Sequence, residues 1–226
     1  VEHGLTAKTR EKTGRSAAMI IDFKKTEKDL YQPKTTPSVI DVPTTTFIAV
    51  DGRGDPNTSA EYANAVELLY GLSYAIKMSS KKIMEYVVPP LEGFWSVDDD
   101  FRGGGAAITD KSKFVWTMAI RQPDFVTTDI FESAKLALAR KKPGLDVAMA
   151  RLVTFTEGLC VQVMHIGPYD DEPATIEKLE RFAAENSYAI DIDNITRRHH
   201  EIYLSDPRKV APDKLKTVIR HPVRKV

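Results

Sequence analysis

Phe47-Ile48-Ala49-Val50-Asp51-Gly52 and Gln162-Val163-Met164-His165-Ile166-Gly167 occupy the same place in the two halves of the chain. Each is a run rich in β-branched residues stopped by a glycine, the pattern of a strand running into a turn. After each comes a helical pattern that leads to the same four letters, Ser73-Tyr74-Ala75-Ile76 and Ser187-Tyr188-Ala189-Ile190. Self-similarity at a nearly fixed offset marks a structural unit used twice. The pattern therefore predicts a strand–helix–strand–strand module in duplicate, spanning about 38–145 and 150–226.

The flanking residues fill in each module. In the first, a strand over Ser38–Val50 ends at the turn Asp51–Pro56. Thr58 and Glu61 have capping-box spacing, and Tyr62, Val66, Leu69, Ser73 and Ile76 follow a 3.6-residue period, so a helix is predicted there. Further strands are expected over Met84–Val88, Gly93–Val97 and Lys113–Arg121, with Gly103-Gly104-Gly105 as a loop before the last. A second helix over Asp129–Arg140 has Asp129 and Glu132 as its box and Lys141-Lys142-Pro143-Gly144 as its stop. In the second module, Arg151–Phe155 and Leu159–Ile166 read as a hairpin about Glu157-Gly158. Pro173 opens a helix with Ile176, Leu179 and Phe182, and Glu201–Leu204 and Leu215–Ile219 are the closing strands. The fold class is α+β. Two such modules can pair their sheets about a pseudo-two-fold axis and leave a central ligand cleft where they meet. A duplication with a filled interface is the alternative.

Composition narrows the function. The 226 residues hold 32 Lys+Arg against 32 Asp+Glu, so the chain has no basic excess for nucleic acid or an anionic membrane surface. No direct nucleic-acid binding and no membrane association are expected, since no apolar run nears the roughly 20 residues that span a bilayer. One cysteine, Cys160, allows neither an internal disulfide nor a Cys-rich zinc site and points to a reducing, cytoplasmic setting. The first 18 residues lack an apolar period and the central region of a secretory signal; Met19 reads as the natural start, after a leader or extension. Residues 19–226 are then one domain of two modules, able to exist as a homodimer.

Five stretches together carry a family resemblance. They are Pro89-Pro90-Leu91-Glu92-Gly93-Phe94-Trp95, Ile120-Arg121-Gln122-Pro123-Asp124-Phe125-Val126, Glu157-Gly158, Met164-His165-Ile166-Gly167-Pro168-Tyr169-Asp170, and His199-His200-Glu201-Ile202-Tyr203-Leu204-Ser205-Asp206. With the Lys216-Thr217 to Pro222-Val223 ending, the chain from about Phe23 onward resembles the GyrI-like small-molecule-binding family, in its stand-alone branch. The resemblance implies two modules of the SHS2 type around a ligand cleft. Relatives include gyrase-inhibitory proteins, multidrug-sensing domains of transcription activators, and hydrolases that open the cyclopropane of DNA-alkylating compounds as detoxification. A helix-turn-helix like that of the activators is not expected here, nor is direct transcriptional control.

The chemistry of the residues fits such a cleft. Alternation puts His199, Glu201 and Tyr203 on one sheet face, and His200 and Ile202 on the other. The resemblance implies a ligand-facing Glu in this strand, so Glu201 is the expected general base or cation counter-ion, with a solvent-exposed rim Glu as the other reading. Glu92 either shares the acid–base work or anchors its loop. Tyr62, Trp95, Trp116, Tyr169 and Tyr203 are candidate walls for an aromatic or cationic ligand, although a small domain also buries aromatic rings in its core. His165 either reaches the ligand or is satisfied in the core. No metal and no cofactor are expected. His199 and His200 point oppositely, the Gly52-Arg53-Gly54 turn lacks the rest of a phosphate loop, and Cys160 sits in an apolar strand. Two functions follow: a hydrolase for an electrophilic, cyclopropane-containing genotoxin, or a non-catalytic binder that sequesters ligands or modulates gyrase.

Overall fold

A computed structural model of the protein describes residues 20–97, 110–193 and 195–226. Two single-turn helices, α1 (Phe23–Thr26) and α2 (Lys28–Tyr31), precede the 16-residue strand β1 (Ser38–Arg53). Then come α3 (Ala60–Ser79), β2 (Leu91–Val97), β3 (Phe114–Arg121) and α4 (Thr128–Lys141). The chain continues through β4 (Arg151–Ile166), α5 (Glu172–Glu185), β5 (Tyr188–Ile190), β6 (His199–Tyr203) and β7 (Lys216–Lys225).

All strand pairings in the sheet are antiparallel, and they close on themselves in the order β1-β3-β2-β6-β7-β4-β1. The result is a barrel-like sheet with β5 added at the outer end of β7. Closure leaves few unpaired edges, which a sheet with such long strands would otherwise expose. Alternation along each strand then separates two environments. Phe47, Ala49, Phe94, Ala119 and Phe155 pack together on the inside, with the Phe47 and Phe155 rings stacked at 5.3 Å. Ile48, Val50, Met118 and Ile120 face outward and are covered by Leu68, Leu69, Leu72 and Ile76 of α3 and by Phe131 and Leu138 of α4. Val161, Val163 and Ile219 face outward on the other side and are covered by Leu179 and Ala183 of α5. Thus α3 and α5 lie on the same outer surface, apart from each other, with β2 and β6 between them.

Several boundaries differ from the sequence reading for identifiable reasons. The α3 cap is Ser59, whose hydroxyl accepts from the Tyr62 amide, and not Thr58. Likewise Thr127 caps α4 in place of the Asp129 box. The predicted hairpin about Glu157-Gly158 is one continuous strand: β4 keeps a single register with β1 from Gln162 to Arg151, and Gly158 takes a positive φ of 72° without turning the chain. Met84–Val88 is no sheet strand; it contributes one bridge, Tyr86 to Ile21. The Gly103–Gly105 loop lies outside the described residues. Gly52 is inside β1 and is required by close packing: a Cβ there would stand 2.1 Å from the Trp116 ring. Gly167, by contrast, has a φ of 143° and does form a turn.

Candidate functional site

The space between α3 and α5 is an open cleft of about 2190 Å³, floored by the outer faces of β2 and β6. Its position follows from the topology, since neither outer helix covers the central strand pair. Tyr62 from α3, Trp95 from β2, Tyr169 before α5, and Glu201 and Tyr203 from β6 all line it. The structure thus brings together five of the eight residues singled out in sequence. Trp95 pairs across the sheet with His199 and Gly93 with Glu201, so the indole and the carboxylate share a face. The missing side chain at Gly93 gives the indole its place: a Cβ there would be 2.6 Å from Trp95 Nε1 and 3.0 Å from Tyr203 Oη.

A chain of hydrogen bonds runs through this face. Trp95 Nε1 donates to Tyr203 Oη at 2.9 Å, and Tyr203 Oη donates to Glu201 Oε2 at 2.6 Å. The other oxygen, Glu201 Oε1, receives His199 Nε2 at 2.7 Å. Burial alone would raise the Glu201 pKa, but the hydrogen bonds from His199 and Tyr203 outweigh it and hold the carboxyl below its usual value. Glu201 is therefore a largely buried, ionised carboxylate. The Tyr203 phenol, pushed well above its usual value by burial and by Glu201, remains a donor. Tyr62 stacks beside Trp95 with ring centroids 6.3 Å apart and 25° between planes, and Tyr169 meets Tyr203 edge-on at 5.8 Å. These rings form flat, apolar walls around the Glu201 carboxylate.

A second carboxyl belongs to this site and was absent from the sequence reading. Glu172, in the first turn of α5, is 6% exposed and interacts with Glu201. Burial and the adjacent negative charge move its pKa far above the carboxylate range, so Glu172 keeps its proton. Its Oε1 has no hydrogen-bond partner among the described residues. One carboxylate and one carboxylic acid side by side are the acid–base division that catalytic pairs use. The signal for it was helical spacing: Glu172, Ile176 and Glu180 fall at i, i+4 and i+8 and so line one face of α5, all three reaching the cleft.

The remaining expected residues lie elsewhere. Glu92 neighbours Gly93 and so points through the sheet, away from Glu201; it is 2% exposed inside the barrel and receives His200 Nε2 at 2.9 Å. Trp116 is wholly buried beneath Gly52, edge-on to Tyr62 at 5.3 Å, and belongs to the core under α3. His165 is satisfied locally, by Thr175 Oγ1 at 2.8 Å and the Pro168 carbonyl at 3.1 Å, and does not line the cleft. Among the described residues, no group of three or more His, Cys, Asp or Glu is arranged to hold a metal ion, and no helix is long and apolar enough to cross a membrane.

Residues 35–224 match the model of the GyrI-like small-molecule-binding domain. Among solved structures, an uncharacterised conserved protein from Listeria innocua is 45% identical with a TM-score of 0.84, the match covering 90% of this chain and 100% of that one. A hydrolase from the same organism is 44% identical with a TM-score of 0.80, over 90% of this chain and 100% of that one. A hydrolase encoded by lin2189 of Listeria innocua gives 43%, 0.82, 91% and 100% in the same order. No curated protein matches.

Proposed function

The chain belongs to the GyrI-like small-molecule-binding family, and from that premise we propose that it hydrolyses electrophilic aromatic small molecules carrying an activated cyclopropane. The observation that carries this reading is the unequal carboxyl pair, ionised Glu201 against protonated Glu172, within aromatic walls. The hydrolase neighbours at above 40% identity support the same class of activity.

The step balances within the pair. Glu201 takes a proton from water as the water oxygen bonds to the strained ring carbon. The carbon–carbon bond of the ring breaks, its electron pair moves into the conjugated carbonyl, and Glu172 delivers its proton to that carbonyl oxygen. The product is substrate plus one water. Afterwards the proton lies on Glu201 and the charge on Glu172, so transfer between neighbours restores the starting state. Tyr62, Trp95, Tyr169 and Tyr203 hold a flat ligand in line, and the carboxylate adds attraction for a cationic one. In a cell this chemistry removes a genotoxin. The cleft also fits the duplicated architecture: β1-β3-β2 and β4-β7-β6 have the same internal order and meet through β1–β4 and β2–β6, as modules related by a pseudo-two-fold axis would.

The test is mass spectrometry of the protein mixed with an alkylating cyclopropane compound. The parent should give a product heavier by one water. Glu201→Gln and Glu172→Gln should each lower the rate by about a hundredfold or more, the usual general acid–base contribution, with binding of a neutral aromatic ligand unchanged. Binding without turnover in all three proteins would replace the hydrolase by the non-catalytic, sequestering reading.

A further inference from the structure

His199 and His221 continue the chain of hydrogen bonds from Glu201 towards Glu180 at the cleft rim. His199 Nε2 is 2.7 Å from Glu201 Oε1, and its other nitrogen, Nδ1, is 2.7 Å from His221 Nε2. His221 Nδ1 is buried without a hydrogen-bond partner among the described residues, and it stands 3.6 Å from Glu180 Oε1. The Glu180 side chain is 39% exposed, while His221 is 3% exposed. One small adjustment of a half-exposed glutamate completes the contact. The alternation of β6 and β7 places both imidazoles on the outer face: His199 lies beside Glu201 in its own strand, and His221 follows Arg220, which pairs with His200.

We propose that Glu201, His199, His221 and Glu180 form a proton relay that links the buried carboxyl pair to the cleft rim, with Glu180 and His221 as its positioning residues. Hydrogen-bond valence makes the transfer balance. Suppose Glu201 has taken the proton of water and both imidazoles, whose resting tautomer places His199 Nε2–H on the ionised Glu201, have exchanged to their Nδ1–H tautomers. Glu201 then donates to His199 Nε2, His199 Nδ1–H donates to His221 Nε2, and His221 Nδ1–H points at the Glu180 carboxylate. Moving each proton one bond along leaves Glu201 ionised, His199 protonated on Nε2, His221 protonated on Nε2, and Glu180 protonated. Both imidazoles are neutral before and after, so no extra charge is buried at either end. Burial raises the Glu180 pKa and pushes that of His221 well below its usual value, which suits a terminal acceptor and a neutral link.

Direct transfer between Glu201 and Glu172 resets the pair only while the two touch. A ligand wedged against Glu172 interrupts that path, and a route along the cleft wall to the half-exposed Glu180 keeps the base exchanging with solvent at the rim. Used in this way, the relay rests on the hydrolytic reading above, but its hydrogen bonding does not.

Two measurements separate those claims. The first is nitrogen NMR of histidine-labelled protein, for the parent and Glu180→Gln. In the parent, His199 and His221 should each average between the two neutral tautomers. Glu180→Gln can no longer accept the proton as a carboxylate, so both histidines should lock into one tautomer, although Glu180 does not touch His199. His199 resonances unchanged by Glu180→Gln overturn the relay, whether or not the protein turns anything over. The second is turnover of the cyclopropane compound. Glu180→Gln and His221→Phe should lower kcat by at least about tenfold with KM unchanged, short of losing the base itself, and added imidazole should restore part of the loss. Parent-like kcat in Glu180→Gln also overturns it. An inactive parent with the expected NMR change removes the hydrolase and leaves the relay.

Discussion

Strand β6 carries two histidine–glutamate arrangements back to back, and they have opposite characters. On the outer face, Glu201 receives His199 and Tyr203 while sharing its surroundings with a second carboxyl that has no counter-charge of its own. On the inner face, His200 sits between two carboxylates, with Nε2 2.9 Å from Glu92 and Nδ1 3.1 Å from Glu157. Arg220 reaches Glu157 at 3.3 Å and Gln162 Oε1 at 3.0 Å, and Tyr31 donates to Glu92 at 3.3 Å. The Phe94 ring covers the imidazole at 4.0 Å. Inside the barrel, then, Glu92, Glu157, His200 and Arg220 are held in one connected cluster; in the cleft, one proton is shared unequally. Complete pairing produces a fixed strut, and incomplete pairing produces a reactive site.

That contrast is broken most severely by removing the inner cation. His200→Phe fills the space but leaves Glu92 and Glu157 facing each other in the barrel. Loss of one partner from a buried ion pair typically costs about 3–5 kcal/mol. Denaturant unfolding should show a loss of that size, while the folded fraction still binds a cleft ligand normally. A loss below about 1 kcal/mol would mean that water reaches the inner cluster and that the two faces are not so different.

The same contrast appears in pH dependence. Burial opposes the charge on Glu157, yet His200 and Arg220 overcome it and hold the pKa at about 2 against an ordinary 4.5. Because the folded value is the lower one, the stabilisation is complete above pH 4.5 and disappears as pH falls towards 2. It amounts to about 3 kcal/mol. His200 is shifted upward, because Glu157 and Glu92 outweigh its burial. Its contribution is complete below the usual imidazole value of about 6.5 and is lost as pH rises through the folded value. Unfolding free energy measured against pH should therefore fall on both sides. His200→Phe should remove the alkaline fall and leave the pH dependence of the cleft unaffected. An alkaline fall that persists in His200→Phe would assign it to another group.

Much of this arrangement was legible in the sequence, and the failures have physical causes. Alternation alone separated His199, Glu201 and Tyr203 from His200, because period two is a local property of a strand. The same rule assigns Glu92 to the inner face once its register against β6 is known, but register is set by pairing partners far away in sequence. The hairpin expected at Glu157-Gly158 failed because glycine permits a positive φ inside a strand as readily as in a turn. Thr58 had capping-box spacing and Ser59 did not, yet backbone geometry at the helix entrance selects the cap. Glu172 carries little signal of its own, since a charged residue beside Asp170, Asp171 and a helix-opening proline resembles an exposed first turn; only its helical alignment with Ile176 and Glu180 separates it from a solvated one.

The smallest expected effect concerns the far end of the hydrogen-bond chain. Trp95→Phe keeps an aromatic wall beside Tyr62 but deletes the 2.9 Å donation from Nε1 to Tyr203 Oη. Tyr203 still donates to Glu201, so the base remains ionised and in place. What changes is polarisation: a phenol that also accepts a hydrogen bond is a stronger donor, and it makes the carboxylate a weaker base. Losing one such bond is worth about 0.5–1.5 kcal/mol and leaves Glu201 the stronger base, so kcat should rise by no more than roughly tenfold, in contrast to the hundredfold or greater loss in Glu201→Gln. Ligand affinity should stay close to that of the parent, since the ring face remains. The phenylalanine variant is the informative one, because Trp95→Ala would remove the wall and the donor together. If kcat of Trp95→Phe fell as far as that of Glu201→Gln, the indole N–H itself would contact the reacting ligand, and the wall and the acid–base pair would not be separate parts of the cleft.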